Sequence, residues 1–186
     1  MNRRDPSSSA LIRREESLLV IIDMQERLVP AVAEREKVVE NTLRLARFAR
    51  IAGLPVLVTE QQKLGDTLPE IREALGGFKP FPKLEFNCFG SGAFAEEVRR
   101  LDRGTMILAG VEAHICVAQT ALHGVTEYRV HVVSDAVSSR DPWNKEVSLR
   151  RMGQAGVAVT STEMVIYELL EKAGTDEFRE VLKLVK

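Results

Sequence analysis

The stretch Thr105–Val117, TMILAGVEAHICV, decides the fold and points to the chemistry. Its apolar run from Met106 to Ala109 predicts a buried strand, which Gly110 ends. Cys116 opens the next segment, in which apolar residues return at helical spacing. The cysteine therefore lies where a strand turns into a helix, and unpaired helix N–H groups there favour a thiolate over a thiol. Cys116 is either a nucleophile or a small apolar residue packed beneath a sheet.

Strand and helix patterns alternate along the rest of the chain. Apolar runs predict further strands at 18–23, 55–59, 129–134 and 157–160, and helical patterns cover 34–52, 94–101, 116–125, 144–154, 163–172 and 176–185. The segment 60–87 is irregular, apart from a short helical pattern at 68–75. This alternation predicts an α/β domain: a three-layer, doubly wound, mostly parallel sheet of five or six strands with helices on both faces.

The bulk composition limits the functional classes. The chain has 186 residues, 45% of them hydrophobic, with a net charge of −1. We expect one domain over 17–186, preceded by a mobile polar tail over 1–16. No basic face for nucleic acid, membrane-spanning run or secretory leader is expected. Two cysteines, Cys88 and Cys116, do not make a disulfide framework, which predicts a cytoplasmic protein.

Three polar residues are expected to meet at the carboxyl ends of the strands, where ligands bind in such sheets. Asp23 ends the first predicted strand, Cys116 follows the strand that begins at Thr105, and Lys83 lies in the irregular segment. The ammonium group would lower the pKa of the thiol, and the carboxylate could take the thiol proton. The three residues therefore predict a nucleophilic catalytic site.

Four motifs together resemble the isochorismatase-like cysteine hydrolases, a family that includes nicotinamidases and N-carbamoylsarcosine amidases. They are LLVIIDMQ at 18–25, KLEFNCF at 83–89, GVEAHICV at 110–117 and VVSDAVSSR at 132–140. The resemblance runs from residue 18 to about residue 170 and looks nearest to the isochorismatase domain-containing branch, which names no substrate.

The resemblance implies a role for each matching residue. Cys116 would be the nucleophile, Asp23 its proton acceptor and Lys83 the cation beside them. A cis peptide bond would join Val111 to Glu112. It would turn the Glu112 N–H inward beside the N–H of Cys116, and these two groups would form an oxyanion hole.

The sequence also departs from the family. Nicotinamidases carry an Asp-x-His-x-His metal cluster after the second strand, where this chain reads TEQQKLGDTLPE at 59–70 without a histidine. No metal or other cofactor is therefore expected. The siderophore-pathway isochorismatases, which hydrolyse a vinyl ether, typically lack the cysteine, so Cys116 argues against that reaction.

Four further residues are candidates for a substrate pocket, each with an alternative. Gln25 could contact a substrate or satisfy neighbouring backbone groups. Gln61 could line the pocket or lie on an exposed loop. Phe86 could form an aromatic wall together with Trp143, whose alternative is a subunit interface.

The sequence therefore predicts a metal-independent cysteine hydrolase. It would cleave a small amide, carbamoyl or related acyl compound, at a C–N bond other than a peptide bond, through a thioester intermediate. The alternatives are a catalytically silent interaction protein on the same fold and a vinyl-ether hydrolase. The expected partners are a small-molecule substrate and, by resemblance, further copies of the chain in a dimer or tetramer.

Overall fold

The computed structural model describes residues 11–185, and a six-stranded sheet with helices on both faces organises that part of the chain. The strands are β1 Ser17–Ile22, β2 Val56–Gln61, β3 Phe81–Lys83, β4 Thr105–Val111, β5 Arg129–Ser138 and β6 Ala158–Thr160. The helices are α1 Arg35–Ala52, α2 Pro69–Leu75, α3 Gly92–Leu101, α4 Ala118–Gly124, α5 Pro142–Gln154, α6 Thr162–Leu170 and α7 Asp176–Val185.

The strand order places the end of β1 at a natural site for a ligand. All neighbouring pairs are parallel, in the order β3-β2-β1-β4-β5-β6. The order reverses between β1 and β4, and open α/β sheets bind ligands outside the carboxyl ends of strands at such a switch point. Every residue of β1 and β4 is buried, as expected for central parallel strands.

Two apolar cores cover the two faces of the sheet. One core contains residues of α1, α2, α6 and α7, and the other contains residues of α3, α4 and α5. Cys88 and Cys116 both belong to the second core. These three layers confirm the predicted fold class.

Gly110 permits the close approach of the two central strands. It pairs with Ile22 and has a φ of +114°, a conformation that residues with a side chain rarely adopt. A Cβ atom at this position would lie 2.0 Å from the Ile22 carbonyl oxygen. A glycine is therefore needed where β4 reaches the switch point beside Asp23.

Three local predictions were wrong. The segment 60–87 is not irregular throughout, because Phe81–Lys83 pairs with β2 as a three-residue edge strand. Strand β5 continues to Ser138 rather than ending at Ser134. Its register against β4 shifts between Leu108 and Gly110, and the alternation of buried and partly exposed residues along β5 is interrupted. Cys116 does not open an α-helix, because Ala113–Val117 forms a π-helical turn before α4.

The first described residues pack against the C-terminal helices. Ile12 is buried, its N–H donates to the Glu168 carboxylate, and Arg14 forms an ion pair with Glu177. The predicted boundary of the tail at residue 16 is therefore too late in the sequence. Residues 1–10, the rest of that predicted tail, lie outside the described residues. Among the helices of residues 11–185, none combines the length and apolar character that crossing a membrane requires.

Candidate active site

Asp23 follows β1 directly and is fully buried. Its backbone has a φ of +51°, which aspartate adopts more readily than most residues, and its N–H donates to the Thr59 carbonyl at 3.2 Å. One carboxylate oxygen, Oδ1, accepts the Thr59 hydroxyl at 2.7 Å, and the other, Oδ2, accepts Lys83 Nζ at 2.7 Å. Both oxygens of the buried carboxylate are therefore satisfied.

Lys83 ends β3 and carries its ammonium group into the interior. Nζ lies 2.7 Å from Asp23 Oδ2, 2.7 Å from Gln61 Oε1 and 3.5 Å from Cys116 Sγ. The Lys83 and Asp23 side chains have no solvent exposure. The lysine thus links the carboxylate to the cysteine, and the structure brings the three predicted catalytic residues into one cluster.

Cys116 lies in the π-helical turn with 5% of its surface exposed. Its pKa is above the ordinary value, because burial opposes the thiolate and the Asp23 charge adds to that effect more than Lys83 offsets it. Lys83 favours the thiolate, as predicted, but burial and Asp23 together outweigh it, so the pKa of the thiol is raised overall. The cluster holds a neutral thiol beside an aspartate–lysine ion pair.

Lys83 remains a cation in this environment. Burial opposes its charge, but the charge of Asp23 and its hydrogen bond to Nζ help to raise the pKa of Lys83 above its ordinary value. These groups titrate as a coupled set, so a proton lost by one changes the affinity of the others. Near neutral pH the Lys83 charge is thus available to stabilise negative charge on either Asp23 or Cys116.

The peptide bond between Val111 and Glu112 is cis, as the resemblance implies. Within residues 11–185, the Glu112 N–H has no hydrogen-bond acceptor, while the Glu112 carbonyl accepts the N–H groups of Ile115 and Val117. An unused donor at Glu112, four residues before Cys116, suits a site that stabilises an oxyanion.

The Glu112 side chain ties the cysteine turn to the segment after β5. Its buried carboxylate accepts the backbone N–H of Arg140 at 2.8 Å and the guanidinium Nε at 3.1 Å. A second tether joins His114 Nδ1 to Ser139 Oγ at 2.9 Å. Both links cross from the end of β4 to the end of β5, and sequence reasoning missed them because they join residues about 25 positions apart.

Two of the pocket candidates have structural roles. Gln25 is fully buried, and its amide bonds to the backbone of Gln61 and Gly65, so it holds the segment after β1 rather than facing a substrate. Gln61 lies in β2, not on a loop, and its amide bridges Lys83 Nζ and the Leu84 carbonyl. Gln61 therefore contacts the lysine of the ion pair, and Gln25 fixes the backbone of Gln61.

The two aromatic candidates are exposed. Phe86 and Trp143 keep 53% and 59% of their surface accessible, and Trp143 lies in the first turn of α5. Their place in a substrate pocket stays a prediction.

Sequence reasoning also missed Thr59. It ends the apolar run PVLVT, and its register opposite Ile22 sets its hydroxyl against the Asp23 carboxylate. Register between strands cannot be read from the run itself, although a polar residue at the end of a buried strand is a signal for this position.

The arrangement of side chains, rather than cavity size, identifies this site. A cavity of about 580 Å³ lies between α1, α2 and α7, and one of about 480 Å³ lies beside α1 and residues 29–30. Neither is lined by Asp23, Lys83 or Cys116. In the part of the chain that the structure describes, no group of three or more His, Cys, Asp or Glu side chains could hold a metal ion.

Known proteins resemble this chain in sequence and in fold. The family model for the isochorismatase domain matches residues 17–164. Isochorismatase domain-containing protein 2 from Danio rerio is 36% identical over 172 residues, which cover 91% of this chain and 86% of the relative.

Solved structures extend the likeness to three dimensions. The MAR1 ribonuclease from Caenorhabditis elegans superposes with a TM-score of 0.87 at 32% identity, over 95% of this chain and 92% of that chain. The Escherichia coli YcaC gene product, described as an octameric hydrolase of unknown specificity, has a TM-score of 0.86 at 22% identity, over 96% and 89%. The second likeness concerns the fold alone. The match of the family model and the identity to the relatives show that the chain belongs to the isochorismatase family of hydrolases.

Proposed function

We propose that the protein is a metal-independent cysteine hydrolase that cleaves a small amide, carbamoyl or related acyl compound through a thioester. One observation carries the proposal: a buried ammonium group contacts both a carboxylate, at 2.7 Å, and a thiol, at 3.5 Å. Burying three such groups together is unfavourable unless they pair, and a site of this kind matches the needs of nucleophilic catalysis.

The proposed reaction begins with attack of Cys116 Sγ on the substrate carbonyl carbon. The thiol proton passes to Asp23, and the Lys83 charge stabilises the pair while negative charge moves from the carboxylate to the sulfur. The N–H groups of Glu112 and Cys116 stabilise the oxyanion. Asp23 then delivers the proton to the leaving amine, which departs and leaves a thioester.

The second half returns the enzyme to its starting state. Asp23, again ionised, takes a proton from water, which attacks the thioester carbonyl. The carbon–sulfur bond breaks, the carboxylic or carbamic acid departs, and the proton returns to Cys116. The neutral resting thiol agrees with this order, because Asp23 must be ionised before the attack.

The test combines a substrate panel with intact mass spectrometry. Small amides, carbamoyl compounds and simple thioesters are incubated with the protein, and hydrolysis is followed together with any mass increase on the chain. We expect hydrolysis of at least one class and an acyl adduct on Cys116. Cys116→Ser should lose both, whereas Cys88→Ser, which alters the other buried thiol, should keep both.

The panel also addresses other reactions. RNA is included because the C. elegans relative is named a ribonuclease, and a vinyl ether is included because isochorismatases act on one. Cleavage of either substrate by Cys116→Ser at the wild-type rate would overturn the cysteine mechanism. A protein that hydrolyses nothing and forms no adduct would support the silent interaction protein instead.

A further inference from the structure

The Thr59 hydroxyl lies inside the catalytic cluster but has no part in the proposed bond changes. It lies 2.7 Å from Asp23 Oδ1, on the opposite carboxylate oxygen from the one that contacts Lys83. Thr59 and Asp23 are both fully buried. Water therefore does not compete for this hydrogen bond, and its effect on the carboxylate is not screened.

The direction of this hydrogen bond is fixed. An ionised carboxylate only accepts, so the Thr59 hydroxyl is the donor to Asp23. The second neighbour of the hydroxyl is Cys88, whose Sγ donates toward Thr59 Oγ1 at 4.0 Å. The hydroxyl hydrogen is thus directed at Asp23 for as long as Asp23 is charged.

The groups that face Asp23 differ in what they stabilise. Lys83, from the end of β3, contacts both Asp23 and Cys116, so its charge favours a negative charge on either group. Cys88, from the turn after Asn87, is held neutral because burial raises the pKa of its thiol to about 11. Thr59, from β2, contacts the carboxylate and not Cys116, so it favours the charge on Asp23 alone.

We infer that Thr59 is a positioning residue that sets the proton balance between Asp23 and Cys116, keeping the proton on the thiol in the resting protein. The inference rests on the proposed function, in which Asp23 accepts that proton. Loss of the Thr59 hydroxyl would destabilise the ionised form of Asp23 relative to its protonated form. A larger share of the protein would then carry a thiolate on Cys116 with the proton on Asp23.

The test is the rate at which iodoacetamide alkylates Cys116, measured against pH by peptide mass spectrometry. Thr59→Val removes the hydroxyl and keeps the shape of the side chain. In this variant, the acid limb of the alkylation rate against pH should move to higher pH by about one unit, and the plateau rate should rise about tenfold. Changes of this size are expected for the loss of a hydrogen bond to a charged group. Thr59→Ser, which restores a hydroxyl, should return both features toward the wild-type profile.

Two controls separate this role from a merely structural one. Thr160→Val removes another buried hydroxyl, in β6, that has no hydrogen-bond partner among residues 11–185, and it should leave the profile unchanged. In an Asp23→Asn background, Thr59→Val should have no further effect, because its effect passes through the carboxylate.

The outcomes are distinct. An unmoved acid limb in Thr59→Val, or an equal effect in the Asp23→Asn background, would overturn the inference. If Thr59→Val does not fold, Thr59→Ala is compared with Thr59→Ser by the same two criteria. A shifted profile in a protein that hydrolyses nothing would overturn the proposed function and leave the inference standing.

Discussion

At the scale of single residues, the site consists of charges that are stable only together. Lys83 would be an isolated buried cation without Asp23, and Asp23 would be an isolated buried anion without Lys83 and Thr59. The cysteine lies beside this pair and keeps its proton, since burial and the carboxylate raise its pKa. Removal of the Lys83 charge should therefore raise the pKa of Cys116, and removal of the Asp23 charge should lower it.

Lys83→Met should slow the alkylation of Cys116 near neutral pH and reduce turnover by about a hundredfold or more, the scale of losing one acid–base or electrostatic partner. Lys83 is the neighbour whose charge favours the thiolate, so its loss moves the pKa of Cys116 further up. Thermal melting checks that the variant folds. If neither alkylation nor turnover changes, Lys83 has no role in the site.

Asp23→Asn should nearly abolish turnover but leave the alkylation of Cys116 at least as fast as in the wild type. The Asp23 charge is the second largest cause of the raised pKa of Cys116, and its removal favours the thiolate, while proton delivery is lost. Peptide mass spectrometry and the substrate assay measure the two effects. Slower alkylation than in Lys83→Met would contradict this assignment.

At the scale of elements, the central pair of strands leaves no room for a side chain at Gly110. Gly110→Ala would combine an unfavourable φ of +114° with a Cβ contact of 2.0 Å to the Ile22 carbonyl. We expect the free energy of unfolding to fall by roughly 3 kcal/mol or more. Urea denaturation measures it, and Gly53→Ala provides a comparison with positive φ but no contact. Equal losses in the two variants would show that close packing at Gly110 contributes little.

The same elements show what the sequence could predict. Long apolar runs located β1, β2 and β4, because burial on both faces of a parallel strand demands apolar residues throughout. The three-residue strand at Phe81–Lys83 was missed, since so short an element has no periodicity and depends on pairing with β2. Asp23 and Cys116 could be expected to meet because each follows a predicted strand, whereas Lys83 lies at the end of the missed strand and was grouped with them without it. The pKa of Cys116 depends on burial that the sequence does not reveal.

At the scale of the whole molecule, we expect activity to survive removal of metal ions. The segment 59–70, where nicotinamidases carry their metal cluster, contains no histidine, and Glu60 in this segment is already bonded to Thr67 and Arg72. The protein is dialysed against a strong chelator and assayed for the activity found in the panel. A loss of activity that zinc or iron restores would contradict this expectation.

The free energy of unfolding should fall as the pH drops through the ordinary titration range of histidine and below it. Burial lowers the pKa of His131 in β5, with Arg129 acting in the same direction and Glu168 opposing it. The unfolded chain therefore binds the proton at a higher pH than the folded protein does, and stability is lost as the pH falls from about 6.5. Chemical denaturation should show a shallower pH dependence for His131→Gln, and identical slopes would exclude this residue as the cause.

Oligomerisation stays a prediction for this chain, made from its resemblance to the family. Light scattering should give the mass of a dimer or a larger assembly at micromolar concentration. A mass equal to that of one chain would contradict it.

The hydrogen bonds of the cluster around Asp23, Lys83 and Cys116 join residues that are far apart in the sequence. Asp23 and Lys83 are 60 positions apart, Asp23 and Thr59 are 36 apart, and Lys83 and Cys116 are 33 apart. Contacts of such long range require the closure of large loops before they form, which slows folding. The cluster can exist only after four strands have assembled side by side. Shielding of the two thiols from a fast alkylating reagent during refolding therefore times the assembly of these four strands, without any added label.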